Sequence, residues 1–293
     1  MRAFVFECLG KGKKPATVRR YVSTIGRAHR ASDLKDPTAS EEVTLALKEM
    51  GRNSTARQKQ ARGLTWAEIE VFLSLEPRSL RDIRDRALVA VAYDTMCRRE
   101  ELVSLKVEDI EEGSDESGSV LIRRSKTDTT GEGATAYLSP LTMRLVSEWL
   151  KESGLNTGPV FVRVWGNATG TSQRTKVREA SRSRASDSPS PGEGMTPEQP
   201  GQTKNTSLTA QNVMSVLRKV GQWIGLEKEE WERISGHSCR VGAAQDLLAL
   251  NIDLSSVMQA GRWKDTRMPM RYGERVLAAR GGMARAAKEQ GRG

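Results

Sequence analysis

The sequence predicts a mainly α protein with a small β-sheet, divided into a short all-helical N-terminal domain over 1–62 and a larger, mixed but mostly helical domain over 63–293. Three observations lead there. Apolar residues recur at helical spacing through most of the 293 residues. One stretch, "SVLIRRSKTDTTGEGATAYLSP", switches to two β-favouring runs around a polar turn. The charge is uneven: the chain carries a formal +10, and residues 1–62 alone hold fourteen Lys and Arg against six Asp and Glu.

In order, "KPATVRRYVSTIGRAHRAS" reads as a helix entered at Pro15, with Val18, Val22 and Ile25 on one face and Arg19, Arg20, Arg27 and Arg30 on the others. "TASEEVTLALKEMGRN" reads as a second helix, capped by Thr38 or Ser40, acidic in its first turn and stopped at Gly51. "STARQKQARG" is a polar, basic linker. "LTWAEIEVFLSL" opens the larger domain with Thr65 and Glu68 as a capping box. One or two helices follow to "KVEDI", then the hairpin, then a helix over "LTMRLVSEWLKESG". Residues from about 166 to 206 are rich in Ser, Pro, Gly and Arg and poor in large apolar side chains. Such a segment buries too little to order itself and is expected to be a disordered insertion, whose Arg174, Lys176, Arg178, Arg182 and Arg184 offer loose contacts to a polyanion. Helices resume with "LTAQNVMSVLRKVGQWIG" and continue to "GGMARAAKEQ", a last helix at about 281–290.

Several classes are excluded by composition. No apolar run approaches the roughly 18 residues of a membrane span. The N-terminus lacks the pattern of a secretory signal. Cys8, Cys97 and Cys239 are isolated, and two histidines alone do not complete a zinc site, so neither a disulfide framework nor a metal is expected. A strongly basic chain of this kind meets a polyanion.

Five pieces carry chemistry: "CRREEL" with Arg98 and Glu101, "RRSKTD" with Lys126, "GHSCR" with His237 and Arg240, "AGRWKD" with Trp263, and "MRYGE" with Tyr272. Each alone has an ordinary reading, as a solvated helix face, a surface lysine, a capping histidine or a packing aromatic. Together they suit attack on a phosphodiester without a metal. Two forked guanidiniums can hold the non-bridging oxygens and offset the charge that grows in the transition state. A tyrosine oxygen can be the nucleophile, but with a pKa near 10 only about one in a thousand is ionised at pH 7, so it needs cations or a base beside it. The leaving oxygen needs an acid.

In this order the pieces resemble the tyrosine recombinase (phage integrase) family, most closely its Cre recombinase branch: Arg98-x-x-Glu101, Lys126 on a hairpin, His237-x-x-Arg240 at a helix start, Trp263, and Tyr272 nine residues on, with added likeness in "SGHSCRVGAAQD" and "MQAGRW". Arg99 offers a second register, but Arg98 keeps the three-residue step to Glu101.

The resemblance implies a site-specific DNA recombinase that needs no cofactor. Tyr272 would form a 3′-phosphotyrosyl link and free a 5′-hydroxyl. Arg98 and Arg240 would clamp the phosphate, and Lys126 would protonate the leaving oxygen. His237 would steady the phosphate and move the tyrosine proton. Glu101 would position His237 and Arg98, and Trp263 would pack the site and donate its N–H. The N-terminal and catalytic domains would clamp double-stranded DNA, at recombination sites with inverted-repeat arms, from opposite sides, with Arg19, Arg20, Thr24, Arg27, Gln211 and Asn212 as candidate DNA contacts. The last helix would dock on a neighbour in a tetramer on two sites. The setting would be cytoplasmic and nucleoid-associated, in a bacterium or on a phage or plasmid. Against the family pattern the N-terminal domain reads as short. Two other readings remain open: a strand relaxer of the type IB topoisomerase kind, and a DNA-binding relative that no longer cuts.

Overall fold

A computed structural model describes residues 1–53, 60–125, 131–164 and 203–292. The chain forms two compact units, Met1–Lys59 and Gln60–Gly293.

The first unit is three helices: α1 (Arg2–Gly10), α2 (Pro15–Ala31) and α3 (Glu41–Asn53). The apolar N-terminal patch is α1, and its Val5 and Cys8 meet Val18 and Val22 of α2 and Val43, Ala46 and Met50 of α3 in one small core. Pro15 takes the first helical position, where its missing N–H leaves no bond unmade. Gly26 is needed because α2 runs close under the following loop: a Cβ there would lie 2.5 Å from Thr38 Oγ1. The helix α3 continues through Gly51 to Asn53 instead of stopping at the glycine. Gly51 faces Arg19 closely, at 2.9 Å from where a Cβ would be, so its bareness serves packing rather than termination.

The second unit begins with α4 (Trp66–Ser74), and the Thr65–Glu68 capping box is present, Thr65 N donating to Glu68 Oε2 at 2.9 Å. The long buried helix α5 (Leu80–Asp94) starts at Ser79 and ends in a turn with Met96 at φ 49, before the short α6 (Arg99–Ser104). A 3-10 turn (Val107–Asp109) leads into a three-stranded antiparallel sheet ordered β1 (Ile110–Glu112), β2 (Gly118–Ile122) and β3 (Ala134–Leu138). The β2–β3 pair is the expected hairpin. Its register, Ile122 against Ala134 and Gly118 against Leu138, buries Val120, Ile122, Ala136 and Leu138 and turns Leu121 and Tyr137 outward. The third strand, β1, is an addition to the sequence reading.

Helix α7 (Pro140–Ser153) packs on α5 and closes at Gly154, which takes the left-handed conformation at φ 68. Its Trp149 is fully buried and donates Nε1–H to Val160 O at 2.7 Å. Strand β4 (Val162–Val164) pairs antiparallel with β5 (Thr203–Ser207). This corrects the far edge of the expected insertion: its last residues, "TKNTS" from 203, form a strand. Polar residues join a ladder readily because pairing uses the backbone. Residues 165–202, with the five basic residues named above, lie outside the described residues.

The remaining helices are α8 (Ala210–Trp223), α9 (Lys228–Trp231), α10 (Ser238–Ala249), α11 (Leu254–Gly261), α12 (Arg267–Tyr272), α13 (Glu274–Arg280) and α14 (Gly282–Glu289). Helix α10 is held by the chain just before α4: Leu64 N donates to Ser238 O at 2.9 Å, and a Cβ on Gly242 would fall 1.8 Å from Leu64 O. Only glycine permits that approach, and it fixes where the N-terminus of α10 points. No helix among the described residues is long and apolar enough to cross a membrane.

Candidate active site

The site forms where the turn after α5, the start of α10 and the segment from α11 to α12 converge on a small apolar floor of Met96, Ala243 and Ala244, edged by Trp263 and Tyr272. Arg98 caps α6. Its backbone N–H donates to Glu101 Oε2 at 3.0 Å and its Nη1 to Glu101 Oε1 at 2.7 Å. The three-residue step read from the sequence is therefore half of a capping box: the Glu101 carboxylate accepts from the N-cap backbone N–H and from the arginine's own guanidinium, which has no acceptor with which to cap the helix.

Arg240, in the first turn of α10, is 2 % exposed. Its Nη1 donates to Met96 O at 2.6 Å, its Nη2 to Gly261 O, and its guanidinium lies 4.3 Å from the centre of the Trp263 ring. Burial, then the neighbouring cations Arg98 and Arg262, lower its pKa to about 10, which leaves it charged at neutral pH. The Trp263 ring in turn meets Tyr272 edge-on, with centroids 5.9 Å apart. Burial raises the Tyr272 pKa, and Arg240, Arg98 and Arg271 pull the other way. His237 stands at the N-cap of α10 with its surface open to solvent, and its backbone N–H donates to Ser235 Oγ at 3.2 Å. Partial desolvation, then Arg240, Arg98 and Arg99, lower its pKa, so its ring is neutral at pH 7.

Six of the seven sequence-selected residues thus gather in one place. The seventh, Lys126, lies outside the described residues; Arg123, three residues earlier in the sequence, is fixed by Nε donating to Asp109 Oδ1 at 2.7 Å. One relationship differs from expectation. Glu101 is bonded to Arg98 but not to His237. Its second side-chain partner is Arg262, whose Nη2 donates to Oε2 at 3.1 Å. Burial would raise the Glu101 pKa, but the Arg98 N–H, the Arg98 guanidinium and the Arg262 charge together hold it below the usual carboxylate value.

The profile of the phage integrase family matches residues 62–276, which include all of these groups. The chain belongs to the phage integrase family. It is a tyrosine-type site-specific recombinase. Among curated relatives, this recombinase is 24 % identical to the recombinase Cre of Escherichia phage P1, over 99 % of its own length and 79 % of that protein's. It is 23 % identical to an integrase/recombinase XerD homolog of Selenomonas ruminantium, over 90 % and 70 %. In fold it is similar to the XerH site-specific recombinase in a post-cleavage complex on a palindromic difH substrate, with a TM-score of 0.60 at 20 % identity over 95 % of this chain and 70 % of that one. It is also similar to the Tn1549 transposon integrase bound to transposon right-end DNA, with a TM-score of 0.58 at 11 % identity over 95 % and 83 %.

The candidate DNA contacts are placed as follows. Arg19, Arg20, Thr24 and Arg27 are exposed on α2, and Gln211 is exposed in the first turn of α8. Asn212 is partly committed: its Oδ1 accepts from Thr209 Oγ1 at 2.7 Å and Thr209 N at 3.2 Å in a capping arrangement, leaving only its amide N–H groups to donate outward. Among the described residues no group of His, Cys, Asp and Glu has the makings of a metal site. Arg262 is the residue that sequence reasoning passed over. It sits inside the quoted "AGRW", but a single arginine after a glycine has no local mark of burial.

Proposed function

We propose that this recombinase cuts and rejoins double-stranded DNA with Tyr272 as the nucleophile, through a 3′-phosphotyrosyl intermediate. The carrying observation is the contact chain itself: the Tyr272 ring meets Trp263 edge-on, and the Trp263 ring lies over the buried Arg240 guanidinium. Tyr272 is thereby next to the cations that a phosphate would bridge. Arg98 and Arg240 hold the non-bridging oxygens and neutralise charge as it develops. Neutral His237 is the group able to take or relay the tyrosine proton at pH 7. Lys126 serves as acid to the 5′-oxygen. The covalent link retains the energy of the broken bond, so a 5′-hydroxyl can reverse the step and exchange strands.

The exposed face of α2, with Arg19, Arg20, Thr24 and Arg27, and Gln211 and Asn212 at the start of α8 are the DNA contacts of this reading. The names of the relatives, which include proteins solved on DNA, support it. Assembly is as a tetramer on two sites, with α14, whose Met283 is 74 % exposed, docking on a neighbour. The working compartment is the cytoplasm, at the nucleoid.

The test is to select binding sites from a random duplex pool and trap protein–DNA adducts on them under denaturing conditions. Wild type is expected to give an adduct and Tyr272→Phe to bind the same sites and give none. Adduct at the wild-type level from the variant would refute the assignment. Relaxation of a plasmid with no recombinant product would move the protein to the strand-relaxing class.

A further inference from the structure

Arg262 follows Gly261 at the end of α11 with φ 53 and ψ 45, a left-handed conformation that a branchless glycine adopts more cheaply. An arginine held there needs compensation, and the side chain supplies it. The guanidinium is nearly buried, and its Nη1 donates to Thr95 O at 2.8 Å. Its Nη2 reaches Glu101 Oε2 at 3.1 Å, Met96 O at 3.5 Å and Cys97 Sγ at 3.8 Å. Its Nε has no partner. A buried cation beside two others is unfavourable unless a carboxylate offsets it, and Glu101 is that carboxylate.

The placement is informative. Residue 261 gives its carbonyl to Arg240, and residue 263 lays its ring on Arg240 and against Tyr272. Arg262, between them, reaches back to the turn at 95–97 and to the carboxylate that holds Arg98. Met96 O is shared by Arg240 and Arg262. Arg262 therefore joins the segment under Arg240 and Tyr272 to the segment under Arg98.

We propose that Arg262 is a positioning residue of this recombinase. It fixes Glu101 through Oε2 so that Oε1 orients the Arg98 guanidinium toward the phosphate. By sharing the carboxylate it also keeps Glu101 from neutralising Arg98 fully. This inference rests on the phosphate-clamp reading of the site.

The test uses Arg262→Gly, which suits the left-handed backbone and removes the guanidinium, and Arg262→Lys, which keeps a cation. Both are assayed on DNA sites selected with wild type, by single-turnover adduct formation, DNA affinity and melting temperature. The Gly variant is expected to slow adduct formation on the order of tenfold or more, as small misplacements of catalytic groups do. Affinity should stay within about twofold because the contacts that set it lie elsewhere. The Lys variant should recover part of the rate. In a Glu101→Gln background the Arg262→Gly effect should largely vanish, since the two act through one contact. An unchanged rate in Arg262→Gly, or an equal loss with and without Glu101→Gln, overturns the inference while the Tyr272-dependent adduct of wild type still stands. No adduct from wild type overturns the clamp reading and this inference with it.

Discussion

Two clusters of buried charge lie in the second unit, and they are built on opposite principles. In the first, Arg84 and Asp85 are almost wholly enclosed, with Nη2 donating to Oδ1 at 2.6 Å, and Nη1 donates to Val162 O at 3.2 Å. Lys219 joins from α8, donating to Asp82 Oδ1 at 3.1 Å and lying 3.8 Å from Asp85 Oδ2. Two cations face two carboxylates. Burial raises the Asp85 pKa against the pull of Arg84 and Lys219. At Asp82 the Ser79 hydrogen bond and Lys219 outweigh burial and lower it. In the second cluster, Arg98 and Arg262 share the single carboxylate of Glu101, and Arg240 lies beside them with both Nη groups on backbone carbonyls. The first cluster is balanced and ties α5, β4 and α8 together. The second is left short of negative charge, at a place where Tyr272 and His237 meet the solvent. On the proposed reading, this excess of buried positive charge is what would hold a phosphate.

Four predictions sharpen this contrast, in falling order of effect. Arg240→Met should lower single-turnover adduct formation by about 10² to 10³-fold, the scale of losing one preorganised donor to a developing anion. DNA binding, measured on the same selected sites, should persist. In the balanced cluster the reverse is expected. Arg84→Met should cost about 3 kcal/mol in chemical denaturation, because it strands a buried carboxylate. The adduct rate of the folded protein should not change. If both variants lost the same property, the two clusters would not differ in purpose.

The third prediction concerns anion binding. Inorganic sulfate should raise the melting temperature of wild type by about 2 °C more than that of Arg240→Met, since a ligand bound only by the folded site stabilises by mass action. Equal shifts would mean that sulfate acts only on the general solvent. The smallest effect is at His237. Its lowered pKa keeps it neutral above the ordinary value of 6.5, and it gains a proton only as pH falls further. The folded form resists that proton more than the unfolded chain does, so its contribution to stability declines as pH drops below 6.5. The acid limb of the adduct-rate profile should have its midpoint below 6.5 and should flatten in His237→Asn. A midpoint above 6.5 would mean that neither desolvation nor the neighbouring arginines govern this ring.

What the sequence disclosed follows the range of the forces involved. Arg98 and Glu101, or His237 and Arg240, are three residues apart, and a helix turn makes such a spacing a geometric statement. Tyr272 was legible from its order after Trp263. Thr65 with Glu68 was legible for the same local reason. Arg262 was not, because its burial depends on Thr95 and Glu101, more than 160 residues away in the chain. The Arg84–Asp85–Lys219 cluster was hidden likewise, since nothing near Lys219 points to α5. Strand β1 escaped because three residues, two of them glutamates, carry no alternation to read. Gly51 misled because a glycine near a helix end usually stops it, whereas here Arg19 on α2 passes close over its bare Cα. The exposed face of α2 was visible as charge, but charge alone does not say which of Arg19, Arg20 and Arg27 meets a base and which a phosphate.

The central claim is that the open cluster receives a DNA phosphate and that Tyr272 attacks it. The most direct measurement is the mass of the modified peptide. Trypsin cuts after Arg271 and Arg275, so digestion of a trapped and nuclease-trimmed adduct isolates Tyr272 in the four-residue peptide "YGER". The account predicts that this peptide carries a nucleotide joined through its 3′-phosphate. A nucleotide on any other peptide, or an unmodified "YGER" from protein that has cut its DNA, would contradict it.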